Sequence, residues 1–294
     1  MGSALKVRCG HESDCCTLLK SMHPIKATRR GFLGAAGAAF LPGAVEAPGE
    51  LRLGVCTYSL RNFPRTQAIA MIRECGVRAV SVKEMHLPYK STPEELAAGR
   101  KEFEDAGLAI ASGGVVYFRN NDEADIRFYF DYARRCGMPM MVIGATPENL
   151  PKIESCVREY GISVAVHNHG PEDNVFPNPQ AALKVIAGMD PRVGVCVDAG
   201  HTVRTGVDLV ETVRAAGSRL LDIHIKDLRD LKEARSQCPV GDGAMPIVAM
   251  FKELKKMKYR GLIALEYEID PKAPLPGMQK SFAYMRGVLA GLSG

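Results

Sequence analysis

The sequence predicts an α/β fold of one kind, a single (β/α)8 TIM barrel, and three observations predict it. From residue 51 onward, eight short apolar, β-rich runs alternate with longer segments of helical period, glycines stand between helix and following run, and five histidines fall at run ends. Runs buried on both faces and joined by helices signal parallel sheet. Eight such units in about 240 residues suit a closed barrel better than an open doubly wound sheet. No GxGxxG follows the first run, which weighs against a dinucleotide-binding alternative.

In chain order the predicted strands are Leu51–Tyr58, Arg78–Lys83, Leu108–Val116, Met138–Ile143, Ile162–His167, Val193–Asp198, Leu220–Ile225 and Leu262–Glu266. Helical patterning runs through Thr92–Ala106, Asp122–Cys136, Pro147–Tyr160, Pro179–Met189, Asp208–Ala216 and Pro246–Lys258, and Pro276–Leu292 closes the chain. Gly76, Gly107, Gly137, Gly161 and Gly261 stand where a left-handed residue ends a helix. The longest connection, Asp227 to Ala244, follows the seventh strand and is placed to fold over a site.

The 294 residues carry 38 basic and 33 acidic side chains, a net charge of +5, and 46% of them are hydrophobic. This composition excludes a disordered tail and a polytopic membrane protein, and no stable membrane span is expected. Residues 1–47 hold six basic and three acidic groups, so the body is nearly neutral at 32 against 30. Such a body lacks the clustered cations that nucleic acid requires. The expected partner is a small molecule, with homo-oligomerisation left open.

Thr28-Arg29-Arg30-Gly31-Phe32-Leu33-Gly34 leads into a weakly apolar run of small residues and resembles a twin-arginine export signal. The expectation is a periplasmic or secreted protein, cleaved near Ala44 or Ala47. Residues 22–50 then form the signal and a short linker, 51–294 the catalytic barrel, and 1–21 a disordered upstream extension bearing Cys9, Cys15 and Cys16, with translation expected to start at Met22. The six other cysteines show neither CxxC nor zinc-finger spacing. Of these, Cys56 and Cys196 lie in apolar runs and read as buried thiols, with a disulfide as the alternative.

Catalytic groups of such barrels come from the C-terminal ends of strands. His86, His167, His169, His201 and His224 all fall there, together with Asp198, Asp227, Glu266 and Glu268. Glu266 and Glu268 share a strand face, and Glu266 is nearer the apolar run. His167, Asp198, His224 and Glu266 would then supply two imidazoles and two carboxylates to one divalent ion. That donor set suits Mn²⁺, the first expectation, or Zn²⁺, Co²⁺ or Fe²⁺, and the absence of thiolates argues against a purely structural zinc. Lys83 is placed to hold a substrate carbonyl or steady an enolate, or else to pair with a neighbouring carboxylate. His86 is expected to bind a sugar hydroxyl, and Arg204 either an anionic or polyhydroxy substrate or solvent on a helix surface. Phe176 is the expected aromatic at the mouth, with Phe118 and Tyr58 as companions, because the chain has no Trp.

Together, His167-Asn-His169, Asp198-x-x-His201, His224-x-Lys226-Asp227 and Glu266, in this order on eight βα units, resemble the xylose-isomerase-like barrels. That superfamily includes sugar isomerases and epimerases, hydroxypyruvate isomerases, inosose and 3-dehydroshikimate dehydratases, 3-keto-glycoside lyases and apurinic endonucleases. The resemblance implies metal ligands at His167, Asp198, His224 and Glu266. It implies substrate contact or proton movement at His169 and His201, with Lys226 in the substrate-binding set. One position departs from the tagatose-type epimerases, which carry Glu where His167 stands and pair it with the strand-eight Glu. Metal-bound imidazole cannot abstract a proton as a carboxylate does, and His-x-His is similar to the inosose dehydratases.

The expected function is therefore a divalent-metal-dependent sugar isomerase/epimerase-type enzyme. It abstracts a proton beside a carbonyl through a metal-stabilised enediolate, with His169 as base and Lys83 or His201 assisting. The alternative is a dehydratase or lyase that eliminates water or an aglycone from a keto-polyol or 3-keto-glycoside. A non-catalytic sugar-binding barrel is opposed by the complete ligand set. An apurinic endonuclease would need a further strand-three His and an Asp-x-His after strand seven, which this chain lacks.

Overall fold

A computed structural model describes residues 51–293. The export segment and the upstream extension lie outside the described residues. The eight barrel strands are β1 (Arg52–Cys56), β2 (Ala79–Val82), β3 (Ala109–Tyr117), β4 (Met140–Gly144), β5 (Ser163–His167), β6 (Val193–Asp198), β7 (Leu220–Ile225) and β10 (Leu262–Leu265). Each pairs in parallel with its neighbours, and β1 closes the ring on β10, with Arg52 opposite Leu262 and Val55 opposite Leu265. Between β7 and β10 a short antiparallel ribbon joins β8 (Asp227–Leu228) to β9 (Gln237–Cys238). The fold predicted from the run pattern is thus the fold observed.

The outer ring consists of α1 (Arg65–Glu74), α2 (Pro93–Asp105), α3 (Glu123–Arg135), α4 (Leu150–Tyr160), α5 (Pro179–Ile186), α6 (Ala199–Arg204), α7 (Leu209–Ala216), α8 (Ile247–Lys256) and α9 (Leu275–Gly291). Side chains start several of them where the sequence supplies a cap. Thr92 and Glu95 form a reciprocal capping box on α2, and Asp122, Asn178 and Asp208 accept amide hydrogens at the starts of α3, α5 and α7. Two helices carry too little apolar periodicity to be read from sequence. Only Ala68, Ile69 and Ile72 of α1 are buried, and α6 has six residues.

The main core lies between sheet and helices, built from residues such as Phe103, Phe130, Phe251 and Phe282. Two smaller buried groups, Cys56 with Ala79, Leu262 and Ala264, and Val115 with Val142, Ala165 and Cys196, belong to the lumen face. Strand alternation requires this, because Ala165, Cys196 and Ala264 lie two residues before His167, Asp198 and Glu266. Small lumen residues leave room for the polar layer above them. All six cysteines among the described residues are buried free thiols.

Gly76, Gly107, Gly137 and Gly161 take positive φ as expected, whereas the left-handed residue after α8 is Lys258, at φ 55°. Gly261 serves a different need. A Cβ there would lie 2.2 Å from the Tyr259 hydroxyl and 2.3 Å from the Leu221 carbonyl oxygen, so close approach of the chain excludes a side chain.

The Asp227–Ala244 connection is pinned at its root rather than hinged. The carboxylate of Asp227 accepts from the backbone amides of Leu228, Gly241, Gly243 and Met245 at 2.9–3.1 Å. Asp227 therefore shapes the loop instead of facing the metal-ligand cluster. No helix of the described residues is long and apolar enough to cross a membrane.

Candidate metal centre and active site

Four strand ends deliver the predicted ligands to one place. Donor atoms of His167, Asp198, His224 and Glu266 all lie within 4.8 Å of one another, and all four residues are buried. Both ring nitrogens of His167, both of His224 and Oδ2 of Asp198 have no hydrogen-bond partner. Leaving a buried polar atom unpaired costs about 1–3 kcal/mol. Each imidazole can turn only one nitrogen toward a shared centre, so one nitrogen of each ring and Oδ2 of Asp198 are the unpartnered atoms available to a cation there, as a site built around one requires. The donor set, two imidazoles and two carboxylates, fits a divalent ion.

Three of the four groups are in ligand form. Burial works against the charged form of His224, but Cys196, Glu266 and Cys56 outweigh it and hold this imidazole well above its usual range, so it would give up a proton on binding an ion. Burial pushes the His167 imidazole down to about 3, so it is neutral and has a lone pair to give. Burial works against ionisation of Asp198 and Glu266, but Lys226 outweighs it and holds both carboxyls well below the usual range. Its Nζ lies 3.1 Å from Asp198, 2.8 Å from Glu266 and 2.6 Å from Glu268.

Asp198 divides its oxygens between two tasks. Oδ1 accepts the His201 amide at 2.8 Å and so caps α6, which leaves Oδ2 facing the cluster. Asn168, between the two histidines of the sequence triplet, fixes the turn. It accepts the Asp198 amide at 3.0 Å and donates to Thr202 at 3.1 Å.

His169 stands next to His167, with ring centroids 4.6 Å apart. Its Nδ1 lies 3.3 Å from Oδ2 of Asp173, whose Oδ1 is held by the amides of Val175 and Phe176. A carboxylate beside Nδ1 selects the Nδ1–H tautomer, so Nε2 carries the lone pair and accepts the Tyr117 hydroxyl at 3.0 Å. Burial, followed by the nearby His201, lowers the imidazole's basicity.

The other expected site residues divide into two groups. His201, Arg204 and Lys226 line a cavity of about 310 Å³ with Gln237 and Glu268. Arg204 is tied to Glu172 and reaches His201 at 3.3 Å, so it is a buried wall residue rather than a solvated helix residue. Phe176 lines a second cavity of about 350 Å³ beside His167 and His169. Lys83, at the end of β2, donates to the Val115 carbonyl at 2.7 Å and lies 3.3 Å from Glu84. The carboxylate pairing weighed for it is present, and its Nζ also sits 5.4 Å from the Tyr117 ring centre.

His86 departs from expectation. It is 1% exposed, its Nε2 lies 3.1 Å from the Phe63 carbonyl oxygen, and it lines neither cavity. It braces the loop after β1 rather than meeting a sugar hydroxyl.

Tyr117 is the functional residue that sequence reasoning passed over. Val115 faces the lumen, so two residues on Tyr117 faces the mouth, while Phe118 turns outward and packs against Tyr129 and Phe130. The signal was present in the alternation of β3.

A family model described as Xylose isomerase-like TIM barrel matches residues 69–288, and the chain belongs to that family. Inosose dehydratase of Mesomycoplasma hyopneumoniae is 26% identical over 163 residues, covering 49% of this chain and 53% of that protein. The chain thus spans about half the length of the curated relatives it matches. A xylose isomerase domain protein from Alicyclobacillus acidocaldarius superimposes with a TM-score of 0.68 at 19% identity, covering 82% of this chain and 100% of that one. L-ribulose 3-epimerase gives 0.68 at 15% identity, covering 83% and 96%. At those identities the solved structures establish the shared fold.

Proposed function

We propose that this chain is a divalent-metal-dependent enzyme of sugar or keto-polyol chemistry that removes a proton beside a carbonyl and then eliminates an oxygen substituent from the next carbon. The observation that carries this reading is the buried cluster of His167, Asp198, His224 and Glu266 with its unpartnered atoms. These residues would hold the ion. When bound, it would offset negative charge on the carbonyl oxygen as the proton leaves.

The chain's own groups do the rest. His169, fixed in one tautomer by Asp173, presents Nε2 as the proton acceptor, and the Tyr117 hydroxyl that donates to this nitrogen has to give way as substrate binds. Lys226 keeps the two ligand carboxylates ionised. His201, Arg204 and Gln237 offer hydrogen bonds to substrate hydroxyls in their cavity.

Elimination is favoured over two-base epimerisation because the cluster contains one glutamate, and that glutamate is already held by Lys226. The curated relatives named inosose dehydratase support the same choice. Export through the twin-arginine route, which carries folded proteins, suits a barrel loaded with metal before transport. Substituting both Arg29 and Arg30 by Lys should retain the protein inside the cell, as read by fractionation, and secretion of the double variant would overturn that assignment.

The function is tested with Mn²⁺-loaded protein in D₂O against a keto-inositol, free keto-hexoses and oxidised glycosides. Deuterium at the carbon beside the carbonyl, with loss of the adjacent oxygen substituent, is expected. No exchange across the panel overturns the reading, and exchange with an epimer or isomer as sole product returns it to the isomerase/epimerase class.

A further inference from the structure

We propose that the barrel lumen holds a second coordination position, one layer below the carboxylates, where His167, His224 and the thiol of Cys196 take a soft, thiophilic ion. This inference goes beyond the proposed function and draws on two of its ligands. One nitrogen of each ring and the Cys196 sulfur all lie within 4.8 Å of one another. His167 is 3% exposed and the other two residues 0%.

Strand alternation builds the position. Cys196 stands two residues before Asp198 on β6, so both side chains enter the lumen, the thiol one layer deeper. His167 lies opposite Cys196 across β5 and β6, and His224 lies opposite Asp198 across β6 and β7. The two rings therefore bracket both layers. The two sets of donors share these imidazoles and differ in the rest, two carboxylates in one and one thiol in the other. Two imidazoles with a thiolate suit copper and other thiophilic ions, whereas carboxylate oxygens suit Mn²⁺.

The rings are free to serve either set. A histidine that ligates a metal ordinarily gives its other N–H to a carboxylate or carbonyl, which fixes the ring. Neither nitrogen of His167 or His224 has a hydrogen-bond partner among the described residues, so no such bond locks them. Nε2 of His167 is 3.5 Å from Asp198 and Nδ1 of His224 is 3.5 Å from Glu266, longer than ordinary hydrogen bonds. A ligating imidazole is neutral and has one nitrogen lone pair, so the two positions exclude each other. Cys56 is the contrast, because its sulfur sits 3.6 Å from Oε1 of Glu266 and it joins neither set. The cavity of about 350 Å³ that reaches His167 is the way in. Binding releases the proton of the Cys196 thiol to solvent as its sulfur meets the ion, and no oxidant or reductant is needed.

Cd²⁺ alone, added to chelator-treated protein, provides the test. Wild-type protein should develop an ultraviolet thiolate-to-cadmium charge-transfer band, and Mn²⁺-loaded protein should release its Mn²⁺ in step, read as the free ion by electron paramagnetic resonance. Cys196→Ser should abolish the band and weaken Cd²⁺ binding at least about tenfold, with calorimetric affinity for Mn²⁺ unchanged. Cys56→Ser should keep the band. A wild-type complex without the band, a band that survives Cys196→Ser, or equal loss of Cd²⁺ and Mn²⁺ affinity in that variant overturns the second position. A band in wild-type protein that binds no Mn²⁺ would remove the metal reading of the four-residue cluster and leave the thiol position standing.

Discussion

The hydroxyl of Tyr117 and Nε2 of His169 are 3.0 Å apart, and on the far side of the same ring Nδ1 meets Asp173. The imidazole is thus held at both nitrogens, one by a loop and one by a strand end, and its orientation is set before any substrate arrives.

Tyr117→Phe should free one end of that ring. We expect kcat to fall roughly tenfold to a hundredfold, the scale of a misplaced catalytic group, with KM little changed. Bound metal should stay at the wild-type level, because Tyr117 touches none of the four ligands. Steady-state kinetics alongside metal analysis checks this, and an unchanged kcat would show that His169 needs no second anchor.

His224→Ala and Glu266→Ala should each abolish stoichiometric metal binding, since each removes a quarter of a closed donor set. Wild-type protein should hold one ion per chain. Chelation should lower its melting temperature, because an ion bound only to the native state stabilises it by mass action. Elemental analysis and melts with and without chelator read both effects, and full occupancy in either variant would place the ion elsewhere.

Lys226→Met leaves Asp198 and Glu266 as buried carboxylates with no ammonium between them. Breaking a buried pair by removing one partner costs about 3–5 kcal/mol. The loss should be largest in chelator and partly restored by divalent metal. Chemical denaturation under both conditions measures the difference, and equal destabilisation with and without metal would contradict this view of Lys226 as a counter-charge.

Asp222, two residues before His224 on β7, supplies a pH signature in stability. Burial raises its carboxyl to about 6, against the partial relief given by His224 and by the Ser112 hydroxyl donating at 2.7 Å. The folded state therefore binds more protons than the unfolded one between the ordinary carboxyl range and pH 6. The contribution to stability falls as pH rises through that window and is flat above it, about 3 kcal/mol in all. Asp222→Asn should flatten the profile and raise stability at pH 7. Urea titrations from pH 4 to 8 decide it, and a variant with the wild-type slope would exclude Asp222 as the source.

Much of this was legible in the chain. The eight runs were readable because a parallel strand buried on both faces shows as an unbroken apolar stretch. The four members of the buried cluster were readable because each stands at the end of such a run. What escaped notice depends on three-dimensional neighbours. His86 sits at a strand end like the others, and only the Phe63 carbonyl beside it shows that its hydrogen bond is spent within the fold. Phe118 and Tyr117 are adjacent, and choosing between them requires knowing which face of β3 looks into the lumen. The left-handed turn falls on Lys258 rather than Gly261 because α8 ends at Lys256 with Met257 as its cap, three residues earlier than the glycine suggests.

Asp198 holds α6 with one oxygen and leaves the other unpartnered in the cluster, so that an ion bound there would share a single anchor with the cavity wall. His201 and Arg204 ride on that helix. An ion of different radius would pull on Oδ2 and thereby tilt the wall against which a sugar would rest. Choice of metal then becomes a setting on substrate fit as well as on reactivity, and the same protein loaded with Mn²⁺ or Zn²⁺ should rank its substrates differently.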